Sequence, residues 1–236
     1  MIPDSRLPLL VTETFGPTFQ GEGASIGQPA LFVRLSRCNL TCQWCDEPRT
    51  WDTSRFDLRD HTTQLRATDL ADWARCHPVG LVVITGGEPL VQQQRLVDLV
   101  DQLLDAGKRV EIETNGTVAP LPALQREKVR FNVSPKLASS GVARERRIVP
   151  DALRALARTP GICKFVITAE HRDADLAEAD ELVATFAFEH VWLMPEATTR
   201  TALATGLRAL AEPALARGWA LSNRLHVELW ENEHGR

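Results

Sequence analysis

The chain has 236 residues, 44% of them hydrophobic and 25% charged, with a formal net charge of -4. This is enough apolar residue to bury a core, most simply as one domain over residues 1–236. The mild acidity and the lack of a long basic run argue against a nucleic-acid-binding surface, and no apolar stretch approaches the roughly 20 residues of a membrane span. The opening Met1-Ile-Pro-Asp-Ser-Arg6 lacks a basic-then-apolar signal pattern. Five cysteines occur and three are crowded together, so a disulfide framework is not expected and the chain reads as cytoplasmic and reduced.

In chain order, residues 30–35 predict the first strand. It contains Arg34, a cation that is costly in an apolar strand unless it is paired. A cysteine loop at 36–50 follows, then a polar, irregular excursion over 51–66 and a helix over 69–76. The run Leu81-Val-Val-Ile84 predicts a strand covered on both faces, as in a parallel sheet, and leads into Thr85-Gly-Gly-Glu-Pro89. Residues 90–106 repeat apolar side chains at helical spacing and stop at Gly107. Strands at 110–114 and 130–133 run into Glu113-Thr-Asn-Gly116 and Ser134-Pro-Lys136. A helix at 151–157, a strand at 162–167 and a helix at 173–185 come next. A strand at 191–194 and a helix at 199–217, with Pro213 as a point of interruption, complete the alternation. Cys76 on a helix and Cys163 on a strand are expected to be ordinary buried thiols. Alternating strands and helices imply an α/β fold with right-handed crossovers. Six strands are too few for a closed eight-stranded barrel, so the expected architecture is an incomplete parallel β/α barrel of about six strands.

The unusual residues share one position, the C-terminal ends of these strands, where parallel sheets bind ligands. Taken singly, Gly86-Gly87 before Pro89 and Asn115-Gly116 are also ordinary turn signals, and Lys136 is compatible with a solvated charge. The run Cys38-Asn-Leu-Thr-Cys42-Gln-Trp-Cys45 is more specific. Three thiolates can hold one small metal centre and leave a fourth position open. A closed zinc site takes four protein ligands, whereas soft thiolates suit iron–sulfur clusters. Zinc, with Asp46 or a distant histidine as fourth ligand, stays as an alternative.

The pattern Cys-x-x-x-Cys-x-aromatic-Cys, here Cys38, Cys42, Trp44 and Cys45, resembles the signature of the radical S-adenosylmethionine (SAM) enzymes. In that superfamily three thiolates hold a 4Fe–4S cluster, and the amino and carboxylate groups of SAM chelate the remaining iron. Cleavage of SAM then gives a 5′-deoxyadenosyl radical. The resemblance implies that Gly86, Gly87 and Glu88 line the methionine end, and that Trp44 lies by the adenine. It puts Glu113, Asn115, Ser134, Pro135 and Lys136 around the ribose and carboxylate, with Met194, Pro195, Glu196 and Ala197 closing on the adenosine.

A narrower likeness spans residues 13–230. Thr18-Phe-Gln-Gly-Glu-Gly23, Pro29-Ala-Leu-Phe-Val-Arg34, Trp192-Leu-Met-Pro-Glu196 and Leu221-Ser-Asn-Arg-Leu-His226 are similar to the 7-carboxy-7-deazaguanine synthase family, ring-contracting enzymes of the queuosine pathway. That resemblance implies 6-carboxy-5,6,7,8-tetrahydropterin as substrate and loss of ammonia. A substrate-binding segment at 13–34 would bring Phe19, Gln20, Gly21 and Glu22 to the pterin edge. Arg34 would pair with the carboxylate, Thr85 and His226 would complete the pocket, and residues 192–230 would close it. The family also uses Mg²⁺, bound by a Thr or Ser after Cys-Asp. Here the run is Cys45-Asp46-Glu47, so Glu47 becomes the candidate ligand and metal occupancy is left open. An external electron donor of flavodoxin or ferredoxin type and a homodimer are implied by the same resemblance. Two alternatives are a glycyl-radical-enzyme activase of the same superfamily and a non-catalytic zinc-binding module.

Overall fold

The computed structural model of the protein describes residues 7–231, 233 and 235. The opening six residues, read above as lacking a signal pattern, lie outside the described residues. Strand β1 (Leu9–Phe19) runs antiparallel to β2 (Pro29–Leu35), and β3 (Thr63–Leu65) pairs antiparallel with the other edge of β1. Helix α1 (Ala67–Arg75) leads to β4 (Leu81–Gly86), and α2 (Gln93–Asp105) to β5 (Arg109–Thr114) and β6 (Val129–Val133). Short helices α3 (Arg144–Arg147) and α4 (Pro150–Leu156) precede β7 (Gly161–Ile167), and α5 (Arg172–Phe186) precedes β8 (Val191–Pro195). The chain ends with α6 (Arg200–Arg217), β9 (Ala220–Leu221) and α7 (Leu225–Trp230).

The strands form one sheet in the order β3-β1-β2-β4-β5-β6-β7-β8-β9, with every pairing from β2 to β9 parallel. The physical cause is in the strands themselves. Leu81, Val82, Val83 and Ile84 are all buried, so β4 is covered on both faces and can sit only inside the sheet. Leu96, Leu99, Val100 and Leu103 bury one stripe of α2 against the same core as Val82, Ile84, Val110 and Ile112.

All six predicted parallel strands are present, with ends shifted by a residue or so. The sheet nevertheless has nine strands. The three additions are β1, whose period is broken at Gly16-Pro17 by a register shift, and the short end strands β3 and β9. The polar stretch 51–66 is irregular until β3. The helix expected from residue 90 opens instead as a 3-10 turn, Pro89–Gln92, whose Leu90 N–H is capped by the Glu88 carboxylate. Helix α6 is not interrupted at Pro213. The proline lies near the C-terminal end, which closes on Gly218 in the left-handed region, and the Arg217 side chain donates to the Pro213 carbonyl at 3.1 Å. Cys163 is buried as expected, but Cys76 is exposed, because it caps the C-terminal end of α1 rather than facing the sheet. No helix among the described residues is long and apolar enough to cross a membrane.

Candidate active site

A cavity at the C-terminal ends of the parallel strands collects most of the residues singled out in the sequence. Cys38, Cys42 and Cys45 line it on the loop after β2. They are free thiols packed with Leu40 and Val142. Burial pushes the Cys38 thiol up to about 12 and raises Cys42 and Cys45 as well, so these groups become ligands only by giving up their protons to a metal. Among the described residues no three His, Cys, Asp or Glu side chains converge as a single-ion site requires. A four-iron cluster takes each thiolate on a different iron and needs no such convergence. Three thiols with no fourth ligand converging on them among the described residues therefore fit an iron–sulfur cluster better than a closed zinc site. Asp46, the alternative zinc ligand, is engaged by Arg224.

The glycine pair after β4 holds this loop in place through backbone. Gly87 N donates to Leu35 O at 3.1 Å, and Glu88 N donates to Arg37 O at 2.8 Å. A Cβ on Gly87 would lie 2.1 Å from Arg37 O, and one on Gly86 would lie 2.1 Å from Leu35 O. The close approach that the glycines permit is therefore to the cysteine-loop backbone itself. Glu88, expected at the methionine end, stands behind the wall and is fully buried. Its oxygens accept from Leu90 N, Thr114 Oγ1 and Asn115 N at 3.0, 2.8 and 2.7 Å, tying the ends of β4 and β5 together.

Asn115, Ser134 and Lys136 face the cavity, and Lys136 Nζ lies 3.2 Å from Ser134 Oγ and 5.4 Å over the Trp44 ring. Trp44 lines the cavity too, and its buried indole N–H finds no partner among the described residues. Met194 and Glu196 are also on the wall. Pro135, Pro195 and Ala197 are not. Pro195 packs against the backbone of Gly206, where an added Cβ would lie 2.5 Å from it. Ala197 is buried and gives its carbonyl to Arg224.

The loop after β1 supplies another part of the wall. Phe19, Gln20, Gly21 and Glu22 all line the cavity, as do Arg34, Thr85 and His226. Gly21 lies flat against the His226 ring, since a Cβ there would sit 2.1 Å from Nδ1, and its carbonyl accepts from Leu225 N at 2.8 Å. Gln20 Nε2 donates to Glu113 at 3.2 Å and Thr85 Oγ1 donates to the same carboxylate at 2.7 Å. Glu113, expected near the ribose, is thus engaged by two residues of the substrate set.

Glu22 is the centre of a buried charge cluster. Lys164 and Arg224 both pair with it, Arg224 Nε at 3.1 Å, and His226 Nε2 lies 4.0 Å away. Burial works to raise the Glu22 carboxyl, but Lys164, Arg224 and His226 together hold it well below the usual carboxylate range. Glu22 is therefore ionised and acceptor-only. Burial keeps His226 below its ordinary value despite Glu22, so the ring is neutral at pH 7. Arg224 also reaches Asp46 on the cysteine loop.

Lys164 and Arg224 were missed in the sequence. Lys164 carried the signal that flagged Arg34, a cation inside an apolar strand. Arg224 lay within the quoted Leu221–His226 run but had no recognisable spacing to Glu22 or Asp46.

Residues 33–166 match the Radical SAM superfamily. That segment opens in β2 and stops in β7, so it contains the cysteine loop and leaves the Glu22 loop and Arg224 outside. Over most of its length the chain is similar to proteins named 7-carboxy-7-deazaguanine synthase. The one from Pyrobaculum aerophilum is 33% identical over 96% of both chains. The one from Halobacterium salinarum is 34% identical over 91% of this chain and 88% of its own. The crystal structure of QueE from Escherichia coli superimposes with a TM-score of 0.70 at 29% identity, covering 93% of this chain and 95% of that one. A superfamily match that includes the three-cysteine loop, joined to likeness over 96% and 91% of the chain, places it in the radical SAM superfamily and, within it, in the 7-carboxy-7-deazaguanine synthase family.

Proposed function

We propose that the chain is a radical SAM carbon–nitrogen lyase that converts 6-carboxy-5,6,7,8-tetrahydropterin to 7-carboxy-7-deazaguanine, with loss of ammonia, in 7-deazapurine (queuosine) biosynthesis. The observation that carries this reading is one cavity shared by three thiols, an ionised Glu22 and the Arg34 guanidinium. Cys38, Cys42 and Cys45 would hold the 4Fe–4S cluster. Trp44, Gly86, Gly87, Asn115, Ser134, Lys136, Met194 and Glu196 would hold SAM. When bound, these groups supply an electron and a 5′-deoxyadenosyl radical that takes hydrogen from the substrate.

The chain's own side chains bind and orient. Glu22, held ionised, accepts hydrogen bonds from an N–H edge such as a pterin presents. Gln20 and Thr85, fixed on Glu113, border the same space, and the neutral His226 ring can donate or accept there. Arg34 suits the carboxylate at the other end of the substrate. A glycyl-radical-enzyme activase has no use for the Gln20, Glu22 and His226 set.

Our reading treats residues 1–236 as one domain and the protein as a cytoplasmic homodimer served by an external donor of flavodoxin or ferredoxin type, as the family resemblance implies. Mg²⁺, which the same resemblance implies, is the cofactor the residues support least.

The test is anaerobic incubation of the reconstituted protein with SAM, a reductant and carboxytetrahydropterin, following the deazapurine chromophore. Product formation is expected. SAM cleavage to 5′-deoxyadenosine without product would remove the substrate assignment and leave the superfamily intact.

A further inference from the structure

The family resemblance puts Mg²⁺ beside position 47, and the side chains there do not suit a hard divalent cation. Glu47 faces the cavity with a side chain only 8% exposed. Both of its oxygens are engaged in a two-pronged pair, with Arg49 Nε donating to Oε1 at 2.7 Å and Nη2 to Oε2 at 2.9 Å. Arg34 Nε lies 3.5 Å from Glu47 Oε2 and donates to Glu13 Oε1 at 2.7 Å. Arg49 Nη2 stands 3.9 Å from that same Glu13 oxygen. Two carboxylates and two guanidiniums thus alternate in a quartet of zero net charge. An ion at Glu47 would have to pull its carboxylate from the Arg49 fork and stand next to two fixed cations. Mg²⁺ demands near-ideal octahedral oxygen geometry and gives up water reluctantly, so it is poorly placed to do either.

Arg34, by contrast, is already arranged as an anion receptor. Glu13 pins its Nε, and the guanidinium lies 5.6 Å over the Phe15 ring, which itself stacks on Phe32 at 4.7 Å. Among the described residues neither Arg34 Nη donates a hydrogen bond, and the side chain lines the cavity. A guanidinium fixed by its Nε with both terminal nitrogens unused matches a carboxylate bidentately.

We propose that this chain holds its substrate's carboxylate without a divalent metal: Arg34 binds it, and the Glu47–Arg49 ion pair fills the place where the ion would stand. The inference rests on the reading under Proposed function for the identity of the carboxylate. Glu47 is then a positioning residue, whose charge is cancelled by Arg49 and which keeps a second cation beside the receptor.

The experiment has two independent readouts on the cluster-loaded protein with SAM and carboxytetrahydropterin. The first is Mn²⁺ uptake, read as loss of the free Mn²⁺ signal in electron paramagnetic resonance. The second is the rate of product formation in chelator against added Mg²⁺. For the wild type, no Mn²⁺ uptake and rates within about twofold of each other are expected. Glu47→Thr combined with Arg49→Ala, which removes the repelling guanidinium together with its carboxylate partner, is expected to take up Mn²⁺ that Mg²⁺ displaces, and to be stimulated by Mg²⁺ at least about tenfold. Glu47→Ser combined with Arg49→Ala serves as a second variant should the first fail to load its cluster. Wild-type uptake of Mn²⁺ displaced by Mg²⁺, or a wild-type rate that falls about tenfold in chelator and returns with Mg²⁺, overturns the proposal. A cluster-loaded variant that gains neither Mn²⁺ uptake nor Mg²⁺ stimulation overturns the role given to Glu47. Absence of product in every condition sinks the substrate reading instead, and Mn²⁺ uptake then still decides the metal question.

Discussion

Around the cysteine loop the cavity wall is set by backbone packed on backbone, Gly87 on Leu35 and Glu88 on Arg37, whereas around the β1–β2 loop it is set by charge, Glu22 against Lys164 and Arg224. The first region joins the adjacent ends of β2, β4 and β5 through short motifs. The second joins residues 142 and 202 positions apart in sequence. The contrast has a mechanistic content. A backbone-built wall tolerates no side chain and serves chemistry common to a superfamily, while a charge-built wall can be retuned one residue at a time to fit a particular substrate. Changes on the first side are therefore expected to abolish SAM cleavage, and changes on the second to spare it.

The sharpest division comes from Cys42→Ala. With one of three thiolates gone, 5′-deoxyadenosine formation is expected to fall by more than about a thousandfold, ~4 kcal/mol or more in barrier terms. The visible absorption of the cluster should vanish with it. A brown variant that still cleaves SAM would mean that these cysteines are not the ligands.

Gly87→Ala probes the backbone itself. The new methyl would meet Arg37 O at 2.1 Å, and neither partner is the movable end of a side chain. Overpacking of this kind costs about 1–3 kcal/mol. A lowered melting temperature and a smaller iron content after reconstitution are expected together. Full cluster loading at unchanged stability would show that the loop is not clamped by the glycine pair.

On the charged side, Glu22→Gln keeps the shape and removes the ion. It is expected to lower kcat/KM for product about a hundredfold, ~2.7 kcal/mol, while substrate-free SAM cleavage stays near the wild-type rate. Acid stability offers a second readout. Because Lys164 and Arg224 overcome burial and depress the Glu22 pKa from its ordinary 4.5, its stabilising contribution is complete above pH 4.5. The contribution is lost as pH falls below that value toward the folded-state pKa. The Gln variant should lose that arm of the stability profile. Equal loss of SAM cleavage and product formation would break the division between the two regions.

The same contrast explains what could be read from the sequence. The six parallel strands were legible because buried strands such as 81–84 are continuously apolar, and the cysteine loop because its three cysteines are neighbours in the chain. Strand β1 was not, since Gly16-Pro17 and a register shift break its alternation. The end strands are two and three residues long and carry almost no pattern. Cys76 misled because a helix contains both faces and its cap. The fold role of Glu88 had no signal in the sequence, because a carboxylate beside a glycine pair reads the same whether it faces a ligand or, as here, accepts two backbone N–H groups. Lys164 could have been found by the reasoning applied to Arg34. Its pairing with Glu22 could not, because no local spacing encodes a contact across the sheet.

The smallest expected effect lies in the pH profile. Burial lowers the His226 pKa from 6.5, and Glu22 is the largest of the interactions that oppose it. The sign follows from linkage: the folded state prefers the neutral ring, so that preference is fully expressed above pH 6.5 and fades as pH falls through the folded-state value. If the neutral ring is what meets the substrate, the acid limb of kcat/KM lies below pH 6.5. Removing the Glu22 charge withdraws the attraction for a proton, so the limb should move further to the acid side in Glu22→Gln. A limb that moves toward neutrality in the variant would mean that Arg224 and Lys164 do not dominate the field at His226 once Glu22 is neutral, and that the charged wall is organised by some other pairing.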